Sequence, residues 1–169
     1  MKNETDFKKA FCTSAHMQGG YTFKIAASMM SGLPDLYCAM PGFVPVMLEA
    51  KWIKDVDGKF VRKIPYRPYQ REVLNQCNRP YRPFDTMVAF GLIGVHTKTG
   101  MYCRLLPPTM EVITSEHIEY GQDGLEVIID NKINIPSLFD KIVPRIALIT
   151  DHEDVTLQEC RENGMMGQE

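Results

Sequence analysis

The segment VPVMLEAKW, residues 44–52, reads as a strand with two charges set into an apolar run. Side chains alternate along a strand, so Leu48, Ala50 and Trp52 share one face and Glu49 and Lys51 project from the other. At a rise of ~3.3 Å per residue the two charged groups stand roughly 6–7 Å apart, close enough to reach one small ligand in front of a sheet. Upstream, Asp35 in the turn SGLPD immediately precedes the short strand LYCAM, which brings a second carboxylate to the same mouth. Taken singly, each residue has a plain structural account. Asp35 is an ordinary turn residue, and a same-face Glu–Lys pair exposed to water is worth under ~1 kcal/mol.

The rest of the chain supplies the frame. ETDFKKAFCTSAHM, residues 4–17, places Phe7, Ala10, Phe11 and Ala15 at helical spacing, and Gly19-Gly20 ends that helix. YTFKIAA alternates Tyr21, Phe23 and Ile25, as a first strand does. LYCAM and VPVMLEAKW are the second and third strands, with Pro45 tolerable at a strand start. Asp57-Gly58 between apolar flanks predicts a hairpin over residues 53–64. Pro68 opens a second helix, YQREVLNQCN, with Tyr69, Val73 and Cys77 or Leu74 inward, stopped before Pro80. TMVAFGLIGVHT and GMYCRLL form two further strands joined through the turn TKTG, with Gly91 and Gly94 permitting close packing within the sheet. Beyond Pro107-Pro108 the pattern weakens: LEVIIDN is a candidate strand and SLFDKIVPRIALI a mixed segment. The order of helix, three strands, helix and two strands is that of an α/β fold around a small mixed sheet flanked by helices. Residues 1–106 are expected as the core and 107–169 as a C-terminal extension with an acidic tail, packed on the core or at a dimer interface.

Composition narrows the function. With 44% hydrophobic and 24% charged residues the chain is an ordinary globular one. No apolar run is long enough for a membrane span and the first residues, MKNETDFKKAF, are not a signal peptide, so the expected location is the cytoplasm. Five cysteines, Cys12, Cys38, Cys77, Cys103 and Cys160, form no CxxC pair; they are expected as reduced, mostly buried thiols. His16, His96, His117 and His152 have no metal-binding spacing, and Met29-Met30 and Met165-Met166 read as core filler and tail. The net charge of −2 conceals an asymmetry: residues 51–104 hold eleven basic and four acidic side chains, and residues 151–169 one and six. A basic middle in a near-neutral protein suits a polyanion, while an acidic end limits indiscriminate sticking. Simple solvated surface is the alternative.

Two carboxylates without thiolates or paired imidazoles select a hard cation, Mg²⁺ or Mn²⁺. A lysine beside them suits a reaction in which negative charge builds up, as when water attacks a phosphodiester. At this point Gly32-Leu33-Pro34-Asp35 followed by Glu49-Ala50-Lys51 resembles the full PD-(D/E)xK nuclease signature. Gln70 in PYRPYQREVL resembles the glutamine of the virus-type replication-repair (VRR-NUC) and Holliday-junction-resolvase-like branch, and Glu4 the acidic residue that many members carry in the first helix. The likeness covers residues 4–106, and the layout looks like that of the small phage-type members. The resemblance implies a restriction-endonuclease-like core. It implies that Asp35 and Glu49 ligate the metal together with the backbone carbonyl of Ala50, and that Lys51 activates water and stabilises the transition state. Gln70 would position Lys51 or a metal-bound water, and Glu4 would be an outer ligand. The hairpin at 53–64 and the sixty or so residues past Leu106 depart from a minimal nuclease.

Lys54, Lys59, Arg62, Lys63, Arg67 and Arg71, interleaved with Tyr66 and Tyr69, flank the candidate site and are expected along a groove that holds DNA phosphates. The expected activity is that of an Mg²⁺- or Mn²⁺-dependent endodeoxyribonuclease acting on branched or structured DNA as a homodimer, in phage or mobile-element DNA replication, recombination or repair. In a phage the location is the host cytoplasm. The competing expectation is a non-catalytic DNA- or host-protein-binding factor on a nuclease-like fold.

Overall fold

The structure is a computed structural model that describes residues 1–25, 32–56, 58–78, 88–115, 125–140 and 142–143. Helix α1 spans Glu4–Met17, with the Asn3 side chain accepting from the Asp6 N–H at 2.9 Å as its N-cap. Phe7, Ala10, Phe11, Ser14 and Ala15 line its buried face. Gly19, at φ +80°, takes the left-handed conformation that lets the chain leave the helix. Strands β1 (Tyr21–Lys24), β2 (Leu36–Ala39) and β3 (Val46–Val56) follow, then β4 (Val61–Lys63) and helix α2 (Pro68–Cys77). After these come β5 (Val88–Thr97), β6 (Met101–Leu106), β7 (Val112–Thr114), β8 (Leu125–Ile128) and helix α3 (Ile135–Asp140).

Six strands form one mixed sheet in the order β1-β2-β3-β5-β6-β8, and β4 and β7 form a two-stranded sheet of their own. Every neighbouring pair is antiparallel except β3–β5. A parallel pair needs a crossover, and β4 with α2 is that crossover. The expected order of helix, three strands, helix and two strands is present, as a mixed α/β fold with helices against the sheet.

The two faces of the main sheet differ. On the first, Leu48, Ala50, Phe90, Leu92, Cys103 and Leu105 pack with Phe7 and Phe11 of α1 and with Leu138 and Phe139 of α3. Gly94 makes this packing close: a Cβ there would lie 2.4 Å from a Trp52 ring carbon and 2.9 Å from Phe7. On the second, a smaller cluster joins Ile93, Val95 and Leu106 to Val56, Ile64 and Ile113.

That second cluster accounts for the main correction to the expected topology. β4 does not fold back on β3 as a hairpin; it pairs with β7, in the register Val61↔Thr114, Arg62↔Ile113 and Lys63↔Val112. β5 occupies one edge of β3 as far as Val56↔Thr97. Crossing to β7 lets Ile64 and Ile113 bury over Ile93 and Leu106. Asp57, half of the expected hairpin turn, lies outside the described residues. In α2 the inward residue is Leu74, fully buried, whereas Tyr69 is 57% exposed and Val73 and Cys77 are only half-buried. In β1 Tyr21 and Phe23 do share one face, and it is the exposed one, while Thr22 is buried. Phe23 stacks on Tyr37 at 4.8 Å instead of entering the core.

The described residues past Leu106 join the same structure. β7 completes the small sheet, β8 extends the main sheet beyond β6, and Ile133, Ile135, Leu138, Phe139 and Val143 enter the main core. Cys12, Cys38, Cys77 and Cys103 are free thiols, Cys38 and Cys103 buried, and burial pushes Cys38 up to about 12. No helix among the described residues is long and apolar enough to cross a membrane. Met29-Met30, Pro80, His117 and residues 144–169, with His152, Cys160, Met165-Met166 and the acidic tail, lie outside the described residues.

Phe139 packs edge-on against Phe43 at 5.6 Å and is fully buried. Phe139→Ala is therefore expected to destabilise the whole fold by about 3–5 kcal/mol. Denaturant unfolding checks this: one cooperative transition, shifted as far as that of Phe11→Ala, is the expected result.

Candidate active site

The site forms where β2 stops. Its ladder with β3 ends at Leu36↔Leu48, so the next backbone groups on that edge of β3 lie beyond the reach of β2. Asp35, the residue before β2, takes the place of a strand partner: its Oδ2 accepts the Ala50 N–H at 3.1 Å. Its own carbonyl accepts from Ile25 N at 2.9 Å, which ties it to the end of β1. Ala50 itself points its methyl into the dry first face, while Glu49 and Lys51 stand on the second.

Glu49 is 1% exposed and Lys51 8% exposed, so the pair is not a surface salt bridge. Lys51 Nζ lies 2.6 Å from Glu49 Oε1, and Gln70 Nε2 donates to the same oxygen at 2.6 Å. The other end of the Gln70 amide is also engaged, Oε1 accepting the Arg67 N–H at 3.1 Å. A carbonyl oxygen must face that N–H, so the amide nitrogen must face the carboxylate. The start of α2, opened by Pro68, thus aims one side chain at Glu49. Glu49 Oε2 is buried without a hydrogen-bond partner among the described residues.

A residue that sequence reasoning missed completes the set. Lys8 lies 3.3 Å from Asp35 Oδ1 and 3.2 Å from Glu4 Oε1, linking the two carboxylates. Burial acts to lower the Lys8 ammonium, but Asp35 and Glu4 outweigh it and hold it above its usual value. The signal was a Glu–Lys pair four apart on a helix, which by itself names no site. Glu4 is therefore near Asp35 through Lys8, while Asp35, Glu49, Lys51 and Gln70 meet around one stretch of β3.

Burial pushes the Glu49 carboxyl from 4.5 up to about 7; the Lys51 hydrogen bond pulls the other way and the Asp35 charge adds to the rise. A carboxyl raised on folding stabilises the folded chain fully below its unfolded value, and that contribution is lost as pH climbs through its folded value. In divalent-free buffer the unfolding free energy should fall between about pH 5 and about pH 8. Glu49→Gln is expected to remove this decline, and equilibrium unfolding at several pH values measures it.

The donor set suits a hard cation. Mg²⁺ keeps several waters and is held by one or two carboxylates, and here there are two, with the Ala50 carbonyl next to Glu49 in sequence. The unpartnered Glu49 Oε2 is the oxygen such an ion would take. Among the described residues no group of three or more His, Cys, Asp or Glu side chains is placed to hold a metal. The two-carboxylate, one-carbonyl arrangement does not call for one.

Of the expected phosphate-contacting residues, Lys54, Lys59, Arg62, Lys63 and Arg67 are exposed. Arg71 differs, because it is ion-paired to Glu111 on the approach to β7. Tyr66 is no open groove residue either, since its hydroxyl is buried. His16 is structural, its Nε2 accepting the Thr22 N–H at 3.2 Å and so joining α1 to β1.

No family model matches the sequence, and no curated protein matches it. Among solved structures, Hjc, a Holliday junction resolvase from the archaeal hyperthermophile Archaeoglobus fulgidus, is similar over 66% of this chain and 81% of its own. The identity is 14% and the TM-score 0.40. So loose an overlap carries nothing about the site.

Proposed function

We propose that the chain is a divalent-metal-dependent endodeoxyribonuclease of the PD-(D/E)xK type, acting on branched or structured DNA. The observation that supports it is the meeting of Asp35, Glu49, Lys51 and Gln70 at the end of the β2 ladder, with Glu49 and Lys51 buried. Asp35, Glu49 and the Ala50 carbonyl would hold Mg²⁺ or Mn²⁺, and Glu4, reached through Lys8, would act from outside that set. When bound, the ion supplies Lewis-acid polarisation of the phosphate and neutralises charge that develops on it.

The side chains do the rest. Lys51 orients the attacking water and sets its ammonium beside the phosphoryl oxygens as they gain charge. Water adds to phosphorus, the P–O bond to the leaving sugar oxygen breaks, the proton lost by the water passes to solvent, and the departing oxygen takes a proton from solvent to leave as the hydroxyl. Gln70 holds Glu49 so that one carboxylate oxygen stays turned toward Lys51. Lys54, Lys59, Arg62, Lys63 and Arg67 would carry neighbouring phosphates, with Arg71 held back by Glu111. Symmetric cutting of a junction needs two sites, so the working form is a homodimer. The layout of the motif favours a role in phage or mobile-element DNA replication, recombination or repair, in the cytoplasm of the host.

Oligonucleotide junctions, flaps and duplexes incubated with Mg²⁺ or Mn²⁺ test this directly. The wild type should cut at least one branched substrate, and EDTA should stop it. Asp35→Asn and Lys51→Met should each lower the rate by about 10²–10⁴-fold with the fold retained by circular dichroism. Cutting that survives in either variant sinks the proposal, and tight DNA binding with no cutting under any metal favours a non-catalytic binding factor.

A further inference from the structure

A second buried polar atom beside the site lacks a hydrogen-bond partner among the described residues: the hydroxyl of Tyr66, alongside Glu49 Oε2. Topology makes these two groups neighbours. Glu49 is the cross-strand partner of Gly91 in the parallel β3–β5 ladder. The Tyr66 hydroxyl rests on Gly91, where an added Cβ would lie 1.7 Å from Tyr66 Oη and 3.0 Å from Cζ. Adjacent strands run roughly 5 Å apart, so the hydroxyl stands next to the Glu49 carboxyl on the same face. Burial pushes the Tyr66 phenol up, and the Glu49 charge adds to that. The backbone holds the ring there, Tyr66 N donating to Ile64 O at 2.8 Å between β4 and α2.

A hydroxyl buried for packing alone is unfavourable, because a phenylalanine would fill the space without stranding a donor. Lys51 and Gln70 both address Glu49 Oε1, which leaves Oε2 as the acceptor in need of a donor. We propose that Tyr66 is a positioning residue of the site: its hydroxyl donates through one enclosed water to Glu49 Oε2 and turns that oxygen toward the cation. An ionised carboxylate oxygen has lone pairs for both a donor and a metal, and hydrogen bonds to ligating carboxylates orient them and tune affinity. Gly91 is then the residue that leaves room for the hydroxyl. The inference rests on Glu49 being a cation ligand, as the proposed nuclease requires.

The test uses the full chain, Mn²⁺ alone in calorimetry, and Mg²⁺ in ¹³C NMR of protein labelled at tyrosine Cζ. The Tyr66 signal is identified by its loss in Tyr66→Phe. In the wild type that signal should shift on adding Mg²⁺ and again in Glu49→Gln. Tyr66→Phe should keep or raise the thermal midpoint, weaken Mn²⁺ binding about tenfold, and lower kcat with KM for DNA unchanged. Gly91→Ala, which displaces the hydroxyl without removing it, should weaken Mn²⁺ binding to a similar degree. Unchanged Mn²⁺ affinity in Tyr66→Phe together with a Tyr66 signal indifferent to Mg²⁺ overturns the inference, as does a wild type that binds no Mn²⁺. DNA cutting untouched by Tyr66→Phe would sink the tyrosine's role and leave the nuclease standing. Mn²⁺ binding that depends on Tyr66 in a protein that cuts no DNA would do the reverse.

Discussion

The carboxylate of Glu49 sits almost wholly out of water, with Lys51 and Gln70 both on one of its oxygens. Buried ion pairs are poor stabilisers: taking two charges out of water offsets most of their attraction, and well-packed apolar residues often serve as well or better. The surroundings of Glu49 follow from that unfavourable placement. Lys51 is two residues along the same strand, Gln70 is held by the backbone of Arg67, and Asp35 adds a second negative charge nearby. A packing account leaves this concentration of charge without a purpose. The proposed cation and phosphate would supply one.

The fold separates the dry work from the polar work by sheet face. α1 and α3 cover the first face, where Leu48, Ala50 and Leu92 are fully buried, and this core anchors β3. The second face carries a smaller apolar cluster under the β4–β7 sheet, with the charged site next to it. The crossover that makes β3 and β5 parallel also brings the start of α2 over Glu49. One topological necessity thus delivers Gln70 to its partner. The early end of β2 does the same for Asp35, since a longer β2 would take the Ala50 N–H into a ladder and leave the carboxylate outside.

Much of this was legible from local pattern. The period of Phe7, Ala10, Phe11 and Ala15 marked α1, and the alternation around Glu49 and Lys51 correctly assigned residues 48–52 of β3 to their faces. These readings hold because burial on one side of a helix or strand imposes a fixed spacing. Where they failed, something distant competed. Asp57-Gly58 looked like a hairpin turn, yet β4 reached β7 some fifty residues on, because Ile64 and Ile113 bury together over Ile93. The alternation of Tyr21 and Phe23 named a strand but not which face is covered; the inward position of that edge strand belongs to Thr22, which meets His16.

For the site, the types and order of Asp35, Glu49, Lys51 and Gln70 were visible in the chain, because each is placed by its neighbours in sequence: a turn, a strand phase, a helix start. What the linear order could not contain is which groups share a hydrogen. Lys8 joins Glu4 to Asp35 only once α1 lies across the sheet. Glu111 claims Arg71 only after β4 and β7 have paired. Tyr66 comes to rest on Gly91, beside Glu49, only because a parallel ladder sets residues 49 and 91 abreast. Sequence determines what each strand and helix can present, since that depends on periods of two and 3.6 residues. Partnership across the sheet depends on register between segments far apart in the chain, and that is settled only when the apolar faces close.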